Sequence, residues 1–344
     1  MQSTEQRLLY ARRQKRPGPL AVALTEHADQ LSRQGQLSEA RTLLDEAAAL
    51  HRQLRHAYDE VRCLHLAATL SRFVGDLDGS RERATRALQQ AQAHTPEAAS
   101  SAAELAESWN TCGDAEQSAR YWLIAIEHAE AAGALPGPLA GMYRRCAMSL
   151  AGSAQWHAAM DALAKARALY LGQDDKANAL RTLIETTTAW VAQDKLGDAY
   201  HHWDQSWSEA QAISDLPAQA DLLLIQASLH LKSGEHEAAR KTTAKARQAA
   251  LDANMPVNYV TTSLMLAELA EHAQDLEASY AALATGWATL GNLLGREVAA
   301  ESFRPHLQAL RERLGEARFA EVKHRYEAKR REQRAAASPS SATD

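Results

Sequence analysis

The sequence has 344 residues, of which 46% are hydrophobic and only 6% aromatic, and its formal net charge is −5. Ala and Leu carry the apolar content, with eight Val and five Ile in the whole chain; strands draw on β-branched and aromatic side chains, so a β-rich fold is excluded and an all-α one is predicted. Residues 1–16 hold five basic side chains against Glu5, and residues 323–334 hold six against two, so the body between them is acidic, which argues against a nucleic-acid surface along its length.

In chain order, residues 3–14 are predicted as a short basic helix, cut off by Pro17-Gly18-Pro19. This N-terminus lacks the apolar h-region of a secretory signal. From residue 20 onward one shape recurs: an apolar helix, a short polar turn and an Ala-spaced helix. The turns fall at Gly35, Gly75, Gly113, Ala154, Asp194, Gly234 and Gln274, at intervals of 38–41 residues. Each turn residue sits where a helix ends in the left-handed region, which glycine tolerates best.

A small residue stands seven positions before each turn (Ala28, Ala68, Ala106, Ala147, Thr187, Ala227, Ala267), a second five after it (Ala40, Ser80, Ser118, Ala159, Ala199, Ala239, Ser279) and a third twelve after (Ala47, Ala87, Ala125, Ala166, Ser206, Ala246, Gly286). Two antiparallel helices cross closely only where small side chains meet. Pro96, Pro136, Pro217 and Pro256 lie 21–23 residues after their turns and open the next first helix, where a missing N–H costs nothing. Thr95 and Ser214-Asp215 read as N-caps. The spacing gives helices of roughly 16–18 residues, or ~25 Å. Residues 296–314 and 316–334 form a final hairpin turning at Gly315. The last segment, AAASPSSATD, has no core-forming residue and is expected to be disordered.

The repeated small-residue triad resembles the tetratricopeptide repeat family. Its usual unit is ~34 residues, so this chain is similar to the long-helix, ~40-residue arrays of bacterial maltose-activator-type regulators and peptide-pheromone sensors. The resemblance implies a right-handed α-solenoid of about seven helix pairs over residues 20–294, with a basic helix and linker at 1–19, capping helices at 295–334 and a tail at 335–344. It also implies a non-catalytic scaffold or adaptor that holds a protein or peptide. The alternative is a ligand-sensing regulator acting through a separate effector; an enzyme ranks last.

The search for chemistry supports that order. Neither G-x-x-x-x-G-K-[ST] nor G-x-G-x-x-G occurs, and neither does H-E-x-x-H. No cofactor and no metal site is expected: His230 and His236 straddle the Gly234 turn, and a solvated polar turn is the simpler reading of them. Cys63, Cys112 and Cys146 form no C-x-x-C and read as reduced, small buried hydrophobes in a cytoplasmic protein. Trp109 and Trp190 share one offset, and Trp122 and Trp203 another, which predicts core packing for all four; Trp156, Trp207 and Trp287 are less constrained. No apolar run approaches the ~18 residues of a membrane span.

In the family, the first helix of each pair lines the concave side. The resemblance then places Arg62, His65, Arg72, Asn110, Arg144 and Arg181 in the groove toward the N-terminal half, and Lys232, Glu268 and Glu271 toward the far end. A basic stretch of this kind complements a partner with an acidic segment. The offset six before each turn holds no Asn, which disfavours the family's carboxylate clamp for chaperone tails. The basic terminal helices read as solvated ends.

Overall fold

The computed structural model of the protein describes residues 3–337, with side chains up to Glu332. Among the described residues there are seventeen α-helices and no strand. Seven pairs follow the short helix α1 (Thr4–Gln14): α2 (Pro17–Arg33) with α3 (Leu37–Gln53), α4 (Ala57–Phe73) with α5 (Leu77–Gln90), α6 (Pro96–Thr111) with α7 (Ala115–Ala131), α8 (Pro136–Gly152) with α9 (Trp156–Leu171), α10 (Lys176–Ala192) with α11 (Leu196–Ala212), α12 (Leu216–Lys232) with α13 (His236–Asp252), and α14 (Pro256–His272) with α15 (Leu276–Leu294). The closing hairpin is α16 (Arg296–Leu314) and α17 (Glu316–Ala337), turning at Gly315. Most of the expected tail, residues 338–344, lies outside the described residues.

The turns explain the regularity. All seven predicted turn residues have positive φ, from Gly75 at 82° to Asp194 at 56°. Between them the same conformation recurs at Arg55, His94, Gly133, Asp174, Ser214 and Asn254, so a left-handed residue falls every 19–21 positions. The 40-residue period is therefore two nearly identical helix–turn units. At every one of these turns except that at His94 an amide reaches back five residues to a carbonyl, as in Asp76 N–H to Ser71 O (2.9 Å) and Asp275 N–H to Ala270 O (2.8 Å), which satisfies carbonyls the helix end leaves orphaned. Several of the following helices start on a side-chain cap: Asp114, Asp215 and Asp275 each accept from the amide three residues on. Thr95 does the same ahead of Pro96. Pro17-Gly18-Pro19 is the first turn of α2 rather than a linker, because a proline there forfeits only an amide with no helical partner.

All twenty-one triad positions are buried. Where the small residue carries a hydroxyl, it is satisfied: Ser118 pairs with Ser149 at 2.8 Å, and Thr187 donates to the Leu183 carbonyl at 2.9 Å. That matters because an unpaired buried hydroxyl is destabilising.

The chain divides into two compact units, within α10 between Thr182 and Leu183. The first has one core around Leu24, Leu44 and Leu64, on which α1 lays Leu8 and Ala11, and a second around Trp122, Tyr143 and Leu163. The core of the second unit is centred on Leu283, Leu290, Phe303 and Leu310. There α17 packs back on α15, with the Phe319 and Tyr326 rings 5.5 and 5.4 Å from that of Tyr280.

Candidate partner-binding groove

In the first unit α4 packs directly on α6, and in the second α12 packs on α14, whereas α3 and α5, α5 and α7, and α13 and α15 touch weakly or not at all. All four of these contacting helices, α4, α6, α12 and α14, are first helices of their pairs. The predicted groove offsets are open to solvent: Arg62, Asn110, Arg181, Lys232 and Glu268 are exposed, while His65, Arg72, Arg144 and Glu271 are half-buried.

Exposure alone does not leave a charge free. Arg72 is bound to Glu104 of α6, Nε to Oε1 at 2.7 Å, and that carboxylate also accepts from Thr69 at 2.9 Å. Glu104 is only 5% exposed. The hydrogen bond to Glu104 raises the Arg72 pKa above its ordinary value. Arg72 is therefore a structural tie between consecutive first helices. The same neighbour-to-neighbour bonding recurs as Arg145–Glu107 (2.8 Å) in the first unit and as Asn258–Asp221 (2.5 Å) in the second, where Lys232 is also paired with Asp194 of the turn after α10. Glu271 is tied to Arg313 of the closing hairpin at 2.8 Å. Sequence position shows which face a charge lies on; it does not show whether a neighbour 38 residues away has claimed it.

Arg62 remains available in the first unit, its guanidinium 5.6 Å from the Tyr58 ring centroid. It overlooks a cleft of about 380 Å3 between α2 and α4. The floor is apolar, from Leu44, Leu66 and Leu70, and the rim is polar, from Thr25, Glu26, Asp29, Ser32 and Thr69. Leu66 is 42% exposed, and farther along the same layer Phe73 and Met148 are 65% and 63% exposed. The sequence offsets assigned Arg62 but passed over Leu66, whose only signal was an apolar residue on a face otherwise read as polar.

His65 lies beside Arg62, at the edge of a second cleft closed by Pro96, Glu97 and Ser100. Its Nδ1 is buried without a hydrogen-bond partner. Burial lowers the His65 pKa below 6.5, against the opposing pull of Glu104. The fold thus favours the neutral ring. As pH falls below 6.5 the unfolded chain takes up this proton before the folded one does, so stability is full above that value and declines on acidification. Denaturation midpoints of the first unit are expected to fall between pH 6.5 and 5, and His65→Gln is expected to flatten that slope; an unchanged slope in the variant would remove His65 as its origin.

Two of the three thiols are buried. Burial raises the Cys63 thiol and pushes Cys146 up to about 12, so both stay protonated near neutral pH. Cys112 differs from expectation: it is exposed at the end of α6, where Arg81 donates to its sulfur at 2.7 Å. Trp122 and Trp203 are core residues, as their offsets predicted. Trp109 and Trp190 are half-buried instead, covered by Arg81 and Lys195 at 4.5 and 4.7 Å from the ring centroids.

No family model matches the sequence, and neither does any curated protein. Solved structures do match in fold. The apo form of RapI superposes with a TM-score of 0.58 at 11% identity, over 86% of this chain and 79% of that one. The apo form of the quorum sensor NprR from B. thuringiensis gives 0.53 at 14% identity, over 88% and 97%. Aspartyl phosphate phosphatase F from Bacillus subtilis gives 0.51 at 13% identity, over 84% and 75%.

Proposed function

We propose that this chain, whose fold is that of the tetratricopeptide-like solenoids, is a non-catalytic scaffold that holds a protein or peptide against its first helices. The cleft between α2 and α4 carries this reading: an apolar floor at Leu44, Leu66 and Leu70 under one exposed guanidinium, Arg62. Such a site takes an extended or helical segment with an apolar anchor and a nearby carboxylate. Glu26 and Asp29 on the opposite rim are already paired, with Arg7 at 2.7 Å and Arg33 at 2.8 Å, so the partner's acidic residue belongs at the Arg62 side.

No helix among the described residues is long and apolar enough to cross a membrane, and a cytoplasmic setting fits the free thiols. A regulator that senses such a ligand and acts through a separate effector is the second reading. Its support is the fold shared with NprR, a protein described as a quorum sensor.

The test is a selection of random displayed peptides on the full chain, followed by affinity measurements on Arg62→Glu and Leu66→Asp. Selected peptides are expected to share an acidic and an apolar residue, and to lose at least about tenfold in affinity, or 1.4 kcal/mol, in each variant. Peptides that bind both variants as tightly as the parent would place the site elsewhere.

A further inference from the structure

We propose that the turn joining α3 to α4 is a binding site for a divalent first-row cation of the zinc class, held by His51, His56 and Asp59. One donor atom from each of these residues lies within 4.8 Å of the other two. His51 Nδ1 stands 3.9 Å from the nearer Asp59 carboxylate oxygen. This is too long for a hydrogen bond and the right order for two ligands of one ion. Tetrahedral zinc, with bonds of about 2.0–2.1 Å, separates its ligands by about 3.3 Å.

The independent sign of a ligand is His51 itself. Its ring is in the last turn of α3 and only 6% exposed, yet its Nδ1 has no hydrogen-bond partner. A buried polar atom without a partner is destabilising unless something supplies the missing bond. Here the Asp59 carboxylate stands 3.9 Å from that nitrogen, and His56 brings a second donor into the same cluster.

The turn brings them together. Arg55 at φ 58° reverses the chain, and the His56 amide closes the turn on the His51 carbonyl at 2.9 Å. His56 occupies the capping position of α4, but its side chain makes no capping bond. It is exposed and free to swing the remaining distance. Asp59 follows in the first turn of α4. Of the two arginines inside this stretch, Arg52 is neutralised by Glu60 at 2.8 Å, and Arg55 is the exposed residue of the turn itself. Two imidazoles and one carboxylate are a donor set that zinc favours, with water completing the shell. The pattern His-x4-His-x2-Asp has no helical periodicity, and only the left-handed turn folds it into one cluster.

The full chain, made without a polyhistidine tag and stripped of metal, would be titrated with Zn2+ by calorimetry, and with Co2+ while its visible spectrum is followed. A site of micromolar affinity or better is expected, with a thermal midpoint raised by roughly 5 °C at a hundredfold excess of Zn2+ over its Kd. His56→Ala and Asp59→Asn alter exposed or half-exposed groups and should leave helicity intact. Each is expected to weaken that site at least tenfold and to remove the thermal shift and the cobalt spectrum. The proposal fails if the parent shows no site at micromolar Zn2+, or if both variants keep the parent's stoichiometry and affinity.

Discussion

Phe303→Ala is expected to destabilise the second unit by about 3–5 kcal/mol. The ring is fully buried in α16 and lies over Gly286 of α15. Gly286 is the third triad position of the last pair, where the other pairs use Ala or Ser. A Cβ at Gly286 would stand 2.6 Å from Phe303 Cζ and 3.2 Å from Ser263 Cβ. The phenyl ring thus occupies the volume that the other pairs give to a methyl or hydroxymethyl group. Gly286→Ala gains up to about 1 kcal/mol of helix propensity, but overpacking costs about 1–3 kcal/mol. Since the ring has no room to retreat, net destabilisation is expected. In a Phe303→Leu background the same substitution should turn neutral or favourable, because the smaller side chain vacates the site. Urea denaturation and hydrogen exchange over α15–α17 would read both effects. A Gly286→Ala variant as stable as its parent would show that the hairpin shifts without cost.

The same position shows what the sequence made legible. Burial demands small side chains wherever paired helices cross, so the triad is visible as composition at fixed offsets, and all of its members are buried. The first turn of each pair was readable where Gly marks it, and periodicity carried the reading over Ala154, Asp194 and Gln274. The alternate turns at Arg55, Ser214 and Asn254 were not readable as left-handed residues, since each is a non-glycine held there by the five-residue back-bonding of the turn. The solvent-facing side of each first helix was legible, because offsets from a turn fix the side of a helix. The state of its charges was not. Arg62 and Arg72 look alike in sequence, yet one overlooks a cleft and the other is bound to a buried carboxylate contributed by the next first helix. Cys112 and Trp109 were misread for the same reason: both meet Arg81, which lies on the intervening helix.

Glu104→Ala is expected to destabilise the first unit by about 3 kcal/mol, and Arg72→Ala by a similar amount. Glu104 accepts from Arg72, Thr69 and Ser80, the last at 3.4 Å, in a site where the arginine side chain is 19% exposed and the carboxylate 5%. Deleting the acid strands a guanidinium and the Ser80 hydroxyl, while Thr69 keeps the His65 carbonyl at 3.1 Å. Deleting the base leaves a carboxylate in a poorly solvated place with hydroxyl partners alone. Replacing both, as Glu104→Leu with Arg72→Met, removes the mismatch, so the double variant should be far more stable than the sum of the single losses. A coupling energy of about 2 kcal/mol or more is expected from the cycle; simple additivity would mean that the pair is only incidental. The functional corollary separates two arginines on one face. Corrected for the folded fraction, Arg72→Met should leave peptide affinity unchanged, whereas Arg62→Glu should reduce it, because the guanidinium of Arg72 already spends its directed bonds on holding α4 to α6.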